Sequence, residues 1–319
     1  EEGDYQKASE LYKQYTDKNP KKPEPFNRLG LSYDAEMEYD SAAKAFTKAI
    51  ELDPRNAAYY YNRASTYIHL RAYDQARLDL EQSVRLDSTK ADYLNALGNI
   101  YFNKENYLQA KTIYEKVLKL DSLDSAVFLN LALCAEKEGK TQEALNYYDK
   151  ALAIDSSSAL AYNNRGYLYA ESGRLEDAIS DYTRAIELKP GYALAYNNRG
   201  TAYYKMNDLI RAESDYTKAL LIDPKLVRTY LNRGRVYYDQ KEYTSALGDY
   251  EKALALEPEN KLAKDRIVEV RFERGKERLA SGDMTGARSD FEEVIKLDPD
   301  GPFASSVKTY LENIQSTNP

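Results

Sequence analysis

The chain has 319 residues, and its 45 Lys plus Arg against 52 Asp plus Glu leave a net charge of -7, a balance that disfavours a general nucleic-acid footprint. No apolar run approaches the roughly 20 residues needed to span a bilayer. One cysteine, Cys134, excludes an internal disulfide framework, and one histidine, His69, leaves no zinc site of ordinary composition and no proton relay.

In chain order, a single spaced signature recurs from residue 5 to residue 299. Residues 1–22 carry Tyr5, Ala8 and Tyr12 and close on Pro20. Seven stretches of 34 residues follow: 23–56, 57–90, 91–124, 125–158, 159–192, 193–226 and 227–260. When each is counted so that its closing turn falls at position 32, position 8 is always Gly or Ala and position 20 is always Ala, from Ala42 to Ala246. The closing residues are Pro54, Ser88, Ser122, Ser156, Pro190, Pro224 and Pro258. Where Pro is missing, an Asp-Ser pair (Asp87-Ser88, Asp121-Ser122, Asp155-Ser156) supplies a turn and a helix cap. The phrase ALAYNNRG stands at 159–166 and again at 193–200, with the looser VRTYLNRG at 227–234. The next signature, Arg274-Gly275 with Ala287, Phe291 and Pro299, arrives seven residues late. In the last stretch Phe303, Val307, Tyr310, Leu311 and Ile314 share one face of a helix.

An aromatic residue at position 4, Gly or Ala at 8, Tyr at 11, Ala at 20, an aromatic at 24 and Pro at 32 together resemble the tetratricopeptide repeat. The resemblance covers essentially the entire chain. It implies an all-α fold, a right-handed superhelical α-solenoid of tandem helix-turn-helix repeats with a C-terminal capping helix. On this reading 1–22 is a partial repeat with a second helix only, and 23–260 holds seven tandem units. Residues 261–301 form an eighth unit whose first helix is longer by about two turns, and 302–319 is the cap. Small residues at positions 8 and 20 let the two helices of a unit approach closely, and Tyr60, Tyr67, Tyr101, Tyr114, Tyr148, Tyr169, Tyr182, Tyr203, Tyr216, Tyr237 and Tyr250 are expected to fill the remaining core.

Position 7, where the family expects Leu, is Arg in five units: Arg63, Arg165, Arg199, Arg233 and Arg274. In the same five, position 23 is Asp: Asp79, Asp181, Asp215, Asp249 and Asp290. Units with Leu at position 7 (Leu29, Leu97, Leu131) carry Ala45, Ile113 and Tyr147 instead. The covariation within one chain predicts a bidentate, partly buried ion pair inside each of the five hairpins.

Catalytic constellations are nearly absent, and the glycines fall at the helix-packing slot or in the inter-helix turn (Gly139, Gly173, Gly282) rather than in a phosphate loop. No enzyme activity, cofactor or metal is expected. Cys134 reads as a small packed residue and His69 as a polar contact. The family resemblance implies that first helices line a concave groove and that positions 2, 5, 6, 9, 12 and 13 point into it. Position 6 then supplies Asn62, Asn130, Asn164, Asn198 and Asn232, and position 5 supplies Asn27, Asn95, Asn163 and Asn197. An amide both donates and accepts, so such a row can clamp a peptide backbone regardless of its sequence. It is similar to the asparagine ladder in the repeat domain of the O-linked N-acetylglucosamine transferases. The competing reading is that each Asn only hydrogen-bonds its neighbours. Tyr61, Phe102, Tyr167, Tyr204 and Tyr238 join the groove, and Arg228 and Arg235 give its far end positive charge. The three cations of the carboxylate clamp used by co-chaperone repeats are missing from the nearest run, Asn95, Asn99, Asn130, Leu160 and Asn164.

The function expected is a protein-protein interaction scaffold that binds a peptide segment of another protein, extended or helical, in this groove. The alternatives are a structural module that self-associates or docks in a larger complex, and the recruiting arm of a larger enzyme. No nucleic-acid or membrane-spanning partner is expected. The compartment is not read from the residues; cytoplasmic placement is the default, and a periplasmic or extracytoplasmic one is compatible with the single cysteine. For the ion pairs, Arg199→Leu and Asp215→Ala are each expected to destabilise the chain more than the double substitution does, because either alone strands a buried charge. Thermal melts showing simple additivity would refute the pairing.

Overall fold

The computed structural model describes residues 5–317, eighteen α-helices with no strand among them. Residues 1–4 of the expected partial repeat and 318–319 of the expected cap lie outside the described residues. The chain divides into two compact units, residues 1–156 and 157–319.

In the first unit α1 (Tyr5–Lys18) is followed by four helical hairpins, α2 (Pro23–Ala35) with α3 (Tyr39–Leu52), α4 (Ala57–His69) with α5 (Tyr73–Leu86), α6 (Ala91–Asn103) with α7 (Tyr107–Leu120), and α8 (Ser125–Lys137) with α9 (Thr141–Ile154). The second unit stacks α10 (Ala159–Glu171) with α11 (Leu175–Leu188), α12 (Ala193–Lys205) with α13 (Leu209–Ile222), and α14 (Val227–Asp239) with α15 (Tyr243–Leu256). It ends with α16 (Lys261–Ala280), α17 (Met284–Leu297) and α18 (Ala304–Thr317). First helices have 13 residues except α16, which has 20.

Both turns of the repeat have a local cause. Between hairpins, the Asp at position 31 accepts a hydrogen bond from the backbone N–H two residues on: Asp53 from Arg55, Asp87 from Thr89, Asp121 from Leu123 and Asp223 from Lys225. The same bond forms before Pro54 and Pro224 as before Ser88 and Ser122. At these four turns the aspartate carries the reversal, and loss of the proline leaves the frame intact, while before Pro190 and Pro258 position 31 is Lys189 and Glu257. Within hairpins the chain reverses through one left-handed residue at position 15. Gly139, Gly173 and Gly282 take it at φ 72°, 77° and 85°, while Met37, Arg71, Glu105, Asn207 and Lys241 take it at φ 56° to 63°.

The position-20 alanines from Ala42 to Ala287 are fully enclosed, and so are the rings at position 24: Phe46, Tyr114, Tyr148, Tyr182, Tyr216, Tyr250 and Phe291. These rings lie flat against the backbone of the partner helix. A Cβ on Gly98 would come within 2.5 Å of the Tyr114 ring, and one on Gly200 within 3.0 Å of the Tyr216 ring. Deleting such a ring costs on the order of 3–5 kcal/mol. The other expected core tyrosines, Tyr60, Tyr67, Tyr101, Tyr169, Tyr203 and Tyr237, are only half-buried. They stand at positions 4 and 11, one turn either side of position 7, and most of them close on its arginine: Arg63 lies 5.9 Å from the Tyr60 ring centre and 5.7 Å from that of Tyr67, and Arg199 sits likewise between Tyr196 and Tyr203.

Each of those arginines meets its aspartate through two nitrogens, as in Arg199 Nε and Nη2 to Asp215 at 2.7 and 2.8 Å and Arg63 to Asp79 at 2.7 Å twice. The pairs Arg165–Asp181, Arg233–Asp249 and Arg274–Asp290 repeat the geometry. A third nitrogen reaches back to the preceding hairpin: Arg63 Nη1 donates to Thr47, Arg199 to Thr183 and Arg233 to Thr217 at 2.9 to 3.0 Å. In α16 Arg274 Nη1 reaches Thr244 of α15 at 3.4 Å and Arg271 adds a bond to Glu251 of the same helix, while Arg271, Arg274 and Arg278 all converge on the buried Asp290. One guanidinium thus ties together both helices of its own hairpin and the hairpin before it.

At position 15 of the second unit, Gly173→Ala is expected to cost about 1 kcal/mol, because Ala must adopt the left-handed conformation with no new contact to offset it. Urea unfolding with an unchanged midpoint would contradict this account of the turn.

Candidate functional site

The first helices bring the position-5 and position-6 side chains of neighbouring repeats side by side, since 34 residues on, the same face returns one helix further along. In the second unit this aligns the amides into a chain. Asn232 Nδ2 donates to Asn197 Oδ1 at 3.2 Å, Asn197 Nδ2 to Asn198 Oδ1 at 3.2 Å, Asn198 Nδ2 to Asn163 Oδ1 at 3.1 Å, and Asn163 Nδ2 to Asn164 Oδ1 at 3.1 Å. The hydroxyl of Thr229 adds a second donor to Asn197 Oδ1 at 3.0 Å. The two positions differ in access: Asn163 and Asn197 are buried, 7% exposed each, whereas Asn164, Asn198 and Asn232 are half-buried. The bonds between repeats run from position 6 to position 5, and position 6 is the more accessible of the two. In this respect each amide bonds its neighbours, and the row still presents one side chain per repeat.

Beside this chain lies a depression of about 290 Å³, lined by Asn198, Thr201 and Lys205 of α12, Tyr167 and Glu171 of α10, and Arg228 and Asn232 of α14, with Asn197, Ala170, Ala202 and Tyr182 beneath. Lys205 faces Glu171 at 3.5 Å. Arg228 is exposed and makes no ion pair among the described residues. Tyr167, 45% exposed, forms one wall. Thr201 and Thr229 carried no signal as asparagines do, yet Thr201 stands at position 9, an inward position, and was legible on that ground.

The remaining aromatics and cations of the row are placed apart from this depression. Tyr204 donates its hydroxyl to Asp239 at 2.6 Å, and burial and then Asp239 hold its phenol above the usual range. Arg235 pairs with Asp239 at 3.0 Å and lies 5.1 Å from the centre of the Tyr238 ring. Burial pushes the Tyr238 phenol up to about 12, with Glu269 adding to the effect. They form an ion-paired cluster on α12 and α14, in which the Nε of Arg235 is enclosed without a hydrogen bond, rather than a second open wall.

In the first unit the row is shorter. Asn62 Nδ2 donates to the buried Asn27 Oδ1 at 2.9 Å. Asn95 and Asn130 are half-buried, and the Oδ1 of Asn95 is enclosed without a hydrogen-bond partner. Tyr61 packs on Tyr93 with ring centres 4.8 Å apart, and Phe102 meets Tyr107 edge-on at 5.4 Å. His69 stacks on Tyr39 at 4.9 Å. Cys134 is enclosed in the core, where burial pushes its thiol up to about 12, far from the thiolate needed for reactivity.

Tetratricopeptide repeat profiles match residues 23–56, 193–226 and 227–260, residues 95–159, and residues 45–78 and 147–180, and a TPR repeat profile matches 166–207. No curated protein matches the chain. Among solved structures, a tetratricopeptide repeat protein from Parabacteroides merdae is 19% identical over 81% of this chain and 98% of its own, with a TM-score of 0.56. Pseudomonas aeruginosa pilF is 23% identical over 73% and 99%, with a TM-score of 0.53. YrrB, described as a TPR protein with an unusual peptide-binding site, is 29% identical over 59% and 96%, with a TM-score of 0.48. Among the described residues no helix is long and apolar enough to cross a membrane.

The amide chain generates a contrast between neighbouring asparagines. Asn197→Ala removes an acceptor shared by Asn232 and Thr229 and is expected to cost about 1–3 kcal/mol, whereas Asn164→Ala, at the end of the chain, costs less than about 1 kcal/mol. Equal shifts in urea unfolding would show that the chain carries no stability.

Proposed function

This chain belongs to the tetratricopeptide repeat family, a scaffold of protein interaction, and we propose that it works by holding an extended segment of a partner protein across its first-helix face. The observation that carries this reading is the depression beside the amide chain. There Asn198 and Asn232, oriented by their bonds to Asn163 and Asn197, stand next to an exposed tyrosine and an arginine without an ion-pair partner.

The chemistry supports a peptide ligand in three ways. An amide that spends one N–H and one acceptor on its neighbours keeps a second N–H and further lone pairs for a backbone N–H or C=O, independent of ligand sequence. Because the ladder already fixes its rotamer, less side-chain entropy is lost on binding than by a free amide. Tyr167 then adds apolar area on a side chain with few rotamers, and Arg228 adds charge, which together confer selectivity that the amides lack. Asn164, Asn198 and Asn232 are the backbone-reading set; Asn163 and Asn197 orient them. In the first unit Asn62 and Asn130 hold the equivalent position, and Asn95 stands at position 5 with its Oδ1 enclosed. The reading involves no chemical conversion and no cofactor.

The test is selection of 12-residue peptides displayed at random against the chain, followed by affinity measurement on the Tyr167→Ala/Arg228→Glu variant. Both side chains are exposed, so the melting temperature is expected to hold while affinity for the selected peptides falls at least tenfold. Retention of full affinity by the variant places binding elsewhere and ends the proposal.

A further inference from the structure

The tyrosine ring at position 24 ends in a hydroxyl that reaches toward the first helix of its own hairpin, and in three hairpins that hydroxyl is spent there. Tyr114 donates to Asn99 at 2.6 Å, Tyr148 to Glu136 at 3.0 Å and Tyr216 to Thr201 at 3.1 Å. Tyr182 differs. The residue is only 1% exposed, its hydroxyl makes no hydrogen bond among the described residues, and it forms part of the floor of the depression bounded by α10, α12 and α14. Burial holds this phenol above its ordinary range, and Tyr167 and Glu171 in the wall of the depression add to the effect. A buried donor at the bottom of a recess is a place for an acceptor.

Donors around that floor outnumber acceptors. Asn198 keeps one amide N–H after its bond to Asn163, and Asn232 keeps one after its bond to Asn197. Thr201 is spent, donating to the backbone oxygen of Asn197 and accepting from Tyr216. Arg228 is exposed and makes no ion pair among the described residues. Lys205 meets Glu171 only at 3.5 Å, with both side chains about half exposed, a pair weak enough for the ammonium to turn to a ligand. Two cations thus stand against one carboxylate, which leaves one positive charge unbalanced.

Resting on the reading in which Asn164, Asn198 and Asn232 hold the backbone of a bound segment, we propose that the depression receives one internal acidic side chain, Asp or Glu, of that segment. Its carboxylate accepts from the Tyr182 hydroxyl and pairs with Arg228 and Lys205. Charge selects this occupant: one carboxylate balances the site, whereas the dianionic phosphate of a phosphoserine would leave excess negative charge beside Glu171. Geometry selects a side chain over a chain end. The three amides stand on α10, α12 and α14, the same helices that bound the depression, so a segment they hold crosses it and enters with a side chain rather than with a terminal carboxylate.

The test uses the chain itself and the peptides selected against it, synthesised with acetylated and amidated ends so that only side chains carry charge. Replacing acidic residues one at a time by their amides is expected to weaken binding about tenfold or more at one position and little elsewhere. Tyr182→Phe keeps the ring and removes only the hydroxyl; Arg228→Gln, at an exposed residue, carries the test should loss of the hydroxyl disturb the fold. In a double-mutant cycle each is expected to shrink the difference between the acidic peptide and its amide to less than about threefold. Phosphoserine at that position is expected to bind more weakly than Glu and to gain on it in Glu171→Gln. Peptides that depend on Tyr167 and Arg228 yet lose nothing when any acidic residue is neutralised overturn the acidic-residue assignment and leave the groove reading standing. So does a loss that neither variant alters, a preference for phosphoserine, or binding abolished by amidation of the peptide C-terminus. If no selected peptide depends on Tyr167 and Arg228, the groove reading fails and the assignment falls with it.

Discussion

Everything in this chain depends on how closely two helices can approach when one offers Gly or Ala at position 8 and the other Ala at position 20. That contact leaves a flat space into which the position-24 ring slides, with hypothetical Cβ atoms on Gly98, Gly166 and Gly200 falling 2.5 to 3.0 Å from it. Close approach maximises dispersion contact and area removed from water per residue. It also dictates the repeat length, because the two turns that bring the helices together admit little variation. A seven-residue lengthening is accommodated in α16 because it adds about two whole turns and returns the buried face to the same side.

The arginine at position 7 puts a charge next to that contact, where burial is costly. The side chains of Asp181 and Asp215 are each about 7% exposed. Burial even holds the Asp249 carboxyl above its ordinary range, against the pull of its bonds to Arg233. What offsets the cost is the number of partners: two carboxylate oxygens, a threonine hydroxyl from the preceding hairpin and a tyrosine ring on one or both faces of the guanidinium. An apolar Leu at position 7 would pack without this apparatus, as Leu97 and Leu131 do. The ionic version adds directionality, since the threonine bond forms only when successive hairpins hold one relative placement.

The amide chain follows the same economy. Buried amides must find partners, and in the second unit they find each other, running from Asn232 to Asn164 in one direction. A row of amides tied together this way has its rotamers fixed by neighbouring repeats, and its open edge is what the stacking of repeats leaves over. Adjacent residues of the same two-letter run thus differ in access, Asn163 buried and Asn164 half-buried, and in the proposed function the recognition role falls on the second.

The helical hairpins and the five ion pairs were legible in the sequence because each rests on contacts within one repeat, and a period of 34 residues displays such contacts again and again. Gly, Ala and the position-24 aromatics declare themselves by size alone. What the residues left open was every contact between repeats. The tyrosines at positions 4 and 11, expected in the core, stand half-buried, most of them beside the arginine of their own helix, and whether the asparagines faced solvent or each other is decided by where the next helix lies. That placement is set by the sum of many small packing terms across a whole interface, not by any residue type at a fixed spacing, so only the tertiary structure resolves it.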